Sequence, residues 1–248
     1  MLVVSQGAGL VFITCVVVAR GEGPPELNFL LWGVLSGVLG AGGIAAFYRA
    51  LSIGVLGVVA PITATAAVVP VVVGLIAGER PSAAQGAGIA LALVGVVLTA
   101  LERGEGEGKR VATGVGMALI AALALGCIYV LLDVASEGDP YWAVLANRAT
   151  STPLLVAAAL VLRPSMAVGG SRGGLVLVAI GALDTAANAL FAVASTFGLV
   201  SLVAVLGSLY PVVTVALARI VLGERIRWIQ RFGAVVALGG VVLISGGG

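Results

Sequence analysis

The sequence predicts an all-α, polytopic membrane protein with nine transmembrane helices, built as an inverted repeat of a five-helix unit that lacks its first helix. Three observations predict this fold class. Hydrophobic residues make up 60% of the 248 residues and charged residues only 10%, whereas a soluble domain is about half apolar and a quarter charged. Apolar runs of about 20 residues, the length that spans a bilayer, follow one another along the chain. A long pattern in the first half also returns in the second half.

In chain order, the apolar runs are separated by short links that carry Pro, Gly or charge. The first run has no basic segment before it and no small-residue cleavage site after it, so we interpret it as a retained span and not as a signal peptide. Trp32, Trp142 and Trp228 lie near the starts of three spans, where an interfacial aromatic belt places them. The nine predicted spans are Leu2–Ala19, Leu27–Ala50, Val55–Ala77, Ala83–Leu101, Gly114–Ala135, Tyr141–Leu162, Leu175–Thr196, Leu199–Leu222 and Ile229–Ser245.

The internal repeat is clearest at the tripeptide 78–80, Gly-Glu-Arg, which returns at 223–225 with an offset of 223 − 78 = 145 residues. Downstream, glycines and a Val-Val-Leu segment keep this offset. Upstream the offset becomes 198 − 54 = 144, because Phe47, Ala50 and Gly54 align with Phe191, Ala194 and Gly198. Duplication and fusion of one membrane unit is typical of transporter folds.

The number of spans between the two tripeptides predicts that the repeat is inverted. The first tripeptide closes the third span and the second closes the eighth, and the difference of 8 − 3 = 5 is odd. The two copies therefore lie on opposite faces of the membrane. Span Tyr141–Leu162 aligns with Leu2–Ala19, since 148 − 6 = 142 places Arg148 over Gln6.

This alignment leaves span Gly114–Ala135 without a counterpart. We predict a four-helix first repeat at 1–101, a linker at 102–112 and a five-helix second repeat at 113–248. The opening helix of the first copy is then missing. Two explanations stay open: a start codon assigned downstream of the true one, or a protein that runs with nine spans.

Lysine and arginine in the short loops predict the orientation. Eight of them lie on the face that holds the N-terminus and two, Arg20 and Arg80, on the opposite face. This bias places the N-terminus in the cytoplasm and the C-terminus outside a plasma membrane. The eight are Arg103, Lys109, Arg110, Arg163, Arg172, Arg225, Arg227 and Arg231.

Composition excludes several function classes. Histidine is absent, which removes imidazole catalysis and histidine-ligated metals. The cysteines Cys15 and Cys127 fall in apolar runs without metal spacing. No phosphate-binding loop occurs, and the contexts of Asp133 and Asp184 do not match an intramembrane aspartyl protease. We expect no enzyme activity, no metal, no cofactor and, at a net charge of +2 without a basic stripe, no nucleic-acid partner.

Polar side chains within spans are the candidate site residues, because they are costly in lipid unless they have a partner or face a water-filled cavity. Asp184 lies near the middle of its span with Asn188 one turn on, and Arg148 lies at similar depth in the preceding span. A buried Asp184–Arg148 pair is expected, either as a structural ion pair or as a substrate- or proton-binding charge. Gln6, at the position related to Arg148 by the repeat, fits a cavity lined by both halves or an interfacial position.

Two repeat-related spans carry prolines well inside them: Pro61 and Pro70 in one and Pro211 in the other. Proline frees a backbone carbonyl, and paired breaks at corresponding positions of two halves are typical of a binding site. Thr63 and Tyr210 lie beside these breaks, and a packing kink satisfied by hydroxyl groups is the alternative.

Tyr129 shares a helix face with Asp133, four residues on, which we interpret as a solvated charge near the outer end of its span. Tyr129 is included among the candidate pathway residues. Gly33, Gly37 and the repeat-related pairs Gly88/Gly95 and Gly233/Gly240 predict close helix packing, the last two between the terminal helices of the two copies.

Together the motifs resemble the EamA-type family of the drug/metabolite transporter superfamily, over essentially the whole chain. The resemblance rests on Phe47-Tyr48-Arg49-Ala50-Leu51-x-x-Gly54, Val59-Ala60-Pro61 and Gly78-Glu79-Arg80, and on Leu209-Tyr210-Pro211-Val212-Val213 leading into Leu222-Gly223-Glu224-Arg225. It implies ten helices in two inverted halves, a central cavity and no use of ATP. The family's first helix is missing here, and the charge bias places the C-terminus outside where the family keeps both termini in the cytoplasm.

The resemblance implies a secondary transporter, an exporter or permease, that moves small polar metabolites or amino-acid-like compounds by alternating access, with proton coupling through Asp184 as a further hypothesis. Its partners would be membrane lipid and a small-molecule substrate, and a homodimer is compatible with the sequence. Two other classes stay open. One is a membrane assembly partner that transports nothing, and the other is a flippase for lipid-linked sugars, which would want more cationic residues than Arg148 alone.

Overall fold

The computed structural model describes residues 2–54, 56–100, 108–162, 170–221 and 227–247, and all regular structure in these ranges is helical. The second Gly-Glu-Arg, at 223–225, lies outside them, as does 101–107, most of the predicted linker. The α-helices are α1 (Leu2–Arg20), α2 (Leu27–Ile53), α3 (Leu56–Ala64), α4 (Val68–Ile76), α5 (Ala83–Ala100), α6 (Gly108–Ser136), α7 (Pro140–Leu162), α8 (Gly170–Ser195), α9 (Val200–Gly207), α10 (Tyr210–Val221) and α11 (Trp228–Gly246), with a 3₁₀ turn at Thr65–Ala67 between α3 and α4.

Eight helical segments in the described ranges are long and apolar enough to cross a membrane, with α3, the 3₁₀ turn and α4 acting as one of them. They match eight of the nine predicted spans. The ninth, predicted as Leu199–Leu222, is divided into α9 and α10, and neither part alone reaches spanning length. Helix α6 begins at Gly108, six residues before its predicted start and within the stretch assigned to the linker. The chain is therefore a multi-pass membrane protein, and two of its predicted spans are interrupted in the described ranges.

Contacts between Cα atoms divide the chain into two compact units. Unit 1 contains residues 1–41 and 128–197, and unit 2 contains 42–127 and 198–248. Unit 1 therefore takes α1 and the start of α2 from the first repeat, with the end of α6, α7 and α8 from the second. Unit 2 takes the end of α2 with α3, α4 and α5 from the first repeat, and most of α6 with α9, α10 and α11 from the second. Each unit draws helices from both predicted repeats.

In unit 1, α1 packs against both α7 and α8. Glycines make the α1–α8 approach close, since a Cβ at Gly9 would lie 2.2 Å from the Thr185 hydroxyl oxygen. The same holds where α2 meets α7, because a Cβ at Gly37 would lie 2.5 Å from the Asn147 carbonyl oxygen. The Asn147 side-chain amide also donates to the Ser36 hydroxyl at 2.8 Å. The predicted packing role of Gly37 is confirmed, and a hydrogen bond within the same contact accompanies it.

One end of unit 1 is fixed by a charged cluster. Arg20, the last residue of α1, donates to both carboxylate oxygens of Asp139 at 2.8 and 3.1 Å, and its guanidinium carbon lies 4.2 Å from the Tyr141 ring centroid. Asp139 also accepts the backbone N–H groups of Tyr141 and Trp142, so it caps the start of α7 directly before Pro140. The cluster holds the end of α1 to the start of α7.

The closest helix pair of unit 2 is α5 with α11, one from each repeat. A Cβ at Gly95 would lie 2.3 Å from the Ala237 backbone nitrogen, and a Cβ at Gly240 would lie 2.6 Å from the Gly88 carbonyl oxygen. Because the low-numbered end of one helix meets the high-numbered end of the other, the two run antiparallel. The prediction that the glycine pairs pack the terminal helices of the two copies together is confirmed.

The first Gly-Glu-Arg ends α4 and contacts the start of α9. Gly78 has φ +100°, which favours glycine, and the Gly78 and Glu79 N–H groups donate to the carbonyls of Leu75 and Gly74, as in a Schellman cap. The Glu79 carboxylate accepts the backbone N–H of Ser201, in the first turn of α9, at 3.3 Å. The positive end of the helix dipole stabilises a carboxylate at this position. The tripeptide therefore also caps a helix of the second repeat.

Candidate functional site

Arg148 lies at the centre of the polar site in unit 1. Its guanidinium donates to the side-chain oxygen of Gln6 and, at 2.5 Å, to Oδ2 of Asp184. Arg148 is 5% exposed, so its charge is neutralised within the protein. The predicted contact between Asp184 and Arg148 is present, but the pair is buried only on the Arg148 side, because the Asp184 side chain is 54% exposed. Gln6 and Arg148, which occupy repeat-related positions, are also direct hydrogen-bond partners.

Two further polar groups support this site from its periphery. The side-chain amide of Asn188 donates to the backbone carbonyl of Asp184 at 2.9 Å, one turn back along α8. Thr152 donates to the backbone carbonyl of Gln6 at 3.5 Å, which ties α7 to α1. Asn188, predicted as a pathway residue, therefore lies beside the pair and bonds the backbone of Asp184.

Burial is unequal within the ion pair. The Arg148 side chain is 6% exposed and the Asp184 side chain 54%. Nε of Arg148 is buried without a hydrogen-bond partner among the described residues, and Oδ1 of Asp184 accepts no hydrogen bond from them. The carboxylate is the accessible member of the pair.

The exposed carboxylate does not lie on the most exposed apolar face of α8. Leu183 and Leu190, 70% and 71% exposed, mark that face, and Asp184 is turned about 100° from Leu183. Phe191, two turns along from Asp184 on nearly the same face, is buried and packs against Tyr129 of α6 with ring centroids 4.7 Å apart. Tyr129, a predicted pathway residue, therefore lies on the side of α8 to which Asp184 belongs.

In unit 2, the interrupted helices form a second polar group. The 3₁₀ turn spans Thr65–Ala67, and the gap between α9 and α10 falls at Ser208 and Leu209. The upstream repeat offset of 144 places Thr65 over 65 + 144 = 209, that is, over Leu209. The two interruptions therefore coincide in the repeat, as predicted for the proline-containing spans.

The prolines lie close to these interruptions in different ways. Pro211 and Pro70 are the second and third residues of α10 and α4, where a helix tolerates proline because the first N–H groups have no intrahelical acceptor. Pro61 lies inside α3, which continues to Ala64, so the interruption follows it and does not occur at it. Pro70 has no N–H to donate to the carbonyl of Ala66, four residues earlier. That carbonyl lies close to α6, since a Cβ at Gly126 would lie 2.4 Å from its oxygen.

Hydroxyl groups satisfy backbone carbonyls around both interruptions. Thr63 donates to Val59 and Ala60, both at 3.0 Å, and Ser208 donates to Val205 at 2.7 Å. Thr63 and Tyr210, one beside each interruption, are joined by a side-chain hydrogen bond. The two residues predicted to lie beside the interruptions are therefore in contact with each other.

The predicted site residues fall into two groups. Unit 1 brings together one group and unit 2 the other, and sequence reasoning had treated both as one lining. It also missed the contact from Glu79 to α9, because the two segments are 122 residues apart and no sequence pattern connects them. The groups are Gln6, Tyr129, Arg148, Asp184 and Asn188 in unit 1, and Pro61, Thr63, Pro70, Tyr210 and Pro211 in unit 2. No cluster of metal-binding side chains occurs among the described residues.

Comparison with known proteins agrees with this architecture. One solved structure, titled only as a crystal structure of a protein, has a TM-score of 0.82 and 19% sequence identity, covering 98% of this chain and 86% of that chain. At this identity the likeness shows the fold alone. Among curated proteins, none matches the chain. The model of the EamA-like transporter family matches residues 112–246, more than half of the chain. The protein therefore belongs to the EamA-like transporter family, part of the drug/metabolite transporter superfamily.

Proposed function

We propose that this protein is a secondary transporter that moves a small polar metabolite or amino-acid-like compound across the plasma membrane by alternating access. The observation that carries the proposal is the Arg148–Asp184 pair in a membrane-spanning bundle, with a guanidinium 6% exposed and a carboxylate 54% exposed. Ionisable side chains within a membrane are rare because they are costly there, and they commonly mark substrate or ion pathways. The inverted repeat supports the same function, since alternating access commonly uses two related halves.

Proton coupling through Asp184 is the finer part of the proposal. Protonation of Asp184 removes the charge that neutralises Arg148, so each protonation state favours a different arrangement around the guanidinium. A transporter needs such a difference to link a proton gradient to substrate movement. The interrupted helices at Thr65–Ala67 and Ser208–Leu209 support the transporter function itself, because broken helices are common at the binding sites of transporters.

The test is flux in sealed vesicles that contain the wild-type protein or Asp184→Asn, against a panel of labelled metabolites at several pH values. We expect Asp184→Asn to lose most transport of the substrate that the wild type moves, and to lose its pH dependence. Glu137→Gln is the matched control, because it removes one acid in unit 1 at an exposed position outside the site. Unchanged flux and unchanged pH dependence in Asp184→Asn would refute the coupling role.

The two alternative classes predict different results in the same vesicles. A membrane assembly partner would give no flux for any metabolite, with Asp184→Asn acting only on assembly or stability. A lipid-linked-sugar flippase would move a lipid-anchored reporter from one leaflet to the other and leave water-soluble metabolites in place.

A further inference from the structure

We infer that the unit 1 site binds its ligand through a positively charged ammonium group, so that the ligand is an organic amine and not an anion. The inference rests on the proposed function, because it names the chemical class that the same site would take. It comes from which member of the ion pair a ligand can reach.

The cation of the pair is closed to ligands. Arg148 is 5% exposed, and two of its nitrogens already donate to Gln6 and Asp184. Its third nitrogen, Nε, has no partner among the described residues but is itself buried. An incoming carboxylate or phosphate would therefore have to displace Asp184 before it reached the guanidinium. Displacement would leave two anions competing for one buried cation, which like-charge repulsion disfavours.

The anion of the pair is open to ligands. Asp184 is 54% exposed and bonds Arg148 through Oδ2 alone. A carboxylate offers several acceptor positions and no donors, so Oδ1 can accept a hydrogen bond while Oδ2 keeps Arg148. An ammonium group supplies three donors and a positive charge, and bonds between ionised groups are about twice as strong as neutral ones. The first polar group that a ligand meets thus selects for a cation.

The two turns of α8 that follow Asp184 also provide apolar side chains for the rest of the molecule. Ala187, one turn from Asp184, is exposed and small. Phe191 lies two turns from Asp184, about 10 Å along the helix axis; it is buried, and the half-buried ring of Tyr129 packs against it. A carboxylate at one end, a small residue next and the half-buried ring of Tyr129 at the far end fit an amine with a short apolar or aromatic tail.

The test measures equilibrium binding of two matched probes to the purified full-length protein in detergent. Phenethylammonium and 3-phenylpropionate share a ring and a two-carbon chain and differ in the sign of their charge. By titration calorimetry we expect phenethylammonium to bind about tenfold more tightly than 3-phenylpropionate, since each tenfold corresponds to about 1.4 kcal/mol. Equal binding, preference for 3-phenylpropionate, or binding of neither probe overturns the inference.

Variants of the pair locate the binding group. Asp184→Asn should weaken phenethylammonium binding about tenfold, while Glu137→Gln, an exposed acid of the same unit, should leave it unchanged. Arg148→Gln should strengthen it severalfold, because Asp184 then no longer shares its charge with a guanidinium. If Asp184→Asn does not fold, the double variant Arg148→Gln with Asp184→Asn, which has no buried charge here, replaces it. Weaker phenethylammonium binding in Arg148→Gln, or full binding without Asp184, would overturn the assignment.

Binding and transport fail separately in this design. If phenethylammonium binds through Asp184 but no metabolite crosses the vesicle membrane, the proposed function is wrong and the amine site stands. If vesicles move a metabolite that is an anion and phenethylammonium does not bind, the transporter proposal stands and the amine inference is wrong.

Discussion

At the residue scale, the candidate site depends on one buried guanidinium. Arg148 receives one partner from α1 and one from α8, namely Gln6 and Asp184. A buried charge that keeps both partners is tolerated, whereas one that loses its counter-ion is destabilising. The same arrangement that positions Asp184 for a ligand therefore also makes Asp184 part of the packing of unit 1.

The first prediction separates these two roles. Asp184→Leu should lower the free energy of unfolding by about 3 kcal/mol, because Arg148 remains buried without its counter-ion. The double variant Arg148→Met with Asp184→Leu should recover most of that loss, since no charge is left to compensate. Thermal unfolding in detergent, followed by tryptophan fluorescence, measures both. A double variant as unstable as Asp184→Leu would contradict this account.

The second prediction concerns the Gly-Glu-Arg at the end of α4. Glu79→Ala should lower the free energy of unfolding by about 1 kcal/mol, the usual effect of losing a helix cap, because α9 loses the acceptor for its Ser201 N–H. Gly78→Ala should lower it by a similar amount, about 1 kcal/mol, because φ is +100° there. Arg80→Ala, at an exposed position of the same tripeptide, is the control and should change stability little. Equal effects at all three positions would argue against a cap.

At the element scale, two interruptions at related positions distinguish this chain from a bundle of straight spans. Both are followed by proline in the first turn of the next helix, at Pro70 and Pro211. The repeat-related prolines predicted which two spans would break, but proline alone does not, because Pro153 lies inside α7 and that helix is continuous. They did not give the place of the break relative to Pro61, because a helix can run for several residues past a proline when threonine hydroxyls satisfy its carbonyls.

The antiparallel contact between α5 and α11 gives the third prediction. Gly95→Ala should lower the free energy of unfolding by about 1–3 kcal/mol, as overpacking does, because its Cβ would meet the Ala237 backbone. Gly86→Ala, in the same helix with nothing within 4 Å of its Cβ, is the matched control. It should be neutral or slightly stabilising, since alanine is the better helix former. Unfolding in detergent compares the two, and a loss at Gly86 equal to that at Gly95 would rule out contact as the cause.

Sequence reasoning predicted the helices and the strongest polar pair more readily than it predicted long-range contacts. Apolar runs of spanning length predict where most of the helices lie, because the thickness of the bilayer sets the length of a span. They did not give the start of α6, which lies six residues earlier than predicted. Arg148 and Asp184 are predictable partners because the two spans are adjacent in the chain and the residues share a depth. The Glu79–Ser201 contact is separated by 122 residues, and the solvated appearance of a charged loop gives no indication of it.

At the scale of the whole molecule, the repeats of the sequence and the compact units of the structure divide the chain differently. The repeats divide it near the middle, whereas each unit combines segments from both halves. The division into units also separates the predicted site residues into the Arg148 group and the Tyr210 group. Sequence reasoning could not find this division, because it depends on contacts between helices distant in the chain.

The fourth prediction tests orientation. The nine spans predicted from the sequence, with most lysine and arginine on the N-terminal face, predict a C-terminus outside. Alkaline phosphatase fused after Gly248 should therefore be active, and green fluorescent protein fused there should be dark. Fusions after Gly104, in the central linker, should give the reverse pattern and act as the control. An inactive phosphatase at the C-terminus with an active one at Gly104 would show that the orientation is opposite to the predicted one.

The mixed origin of the two units has a consequence for how this protein can be made. When the ribosome has finished the first repeat, only part of each core has been synthesised. Helix α1 still lacks its partners α7 and α8, and α5 still lacks α11. The first half therefore has to remain inserted and uncollapsed until the second half arrives. Produced as two separate polypeptides divided in the central linker, the halves would be obligate partners: neither should persist alone in the cell, and co-expression should rescue both.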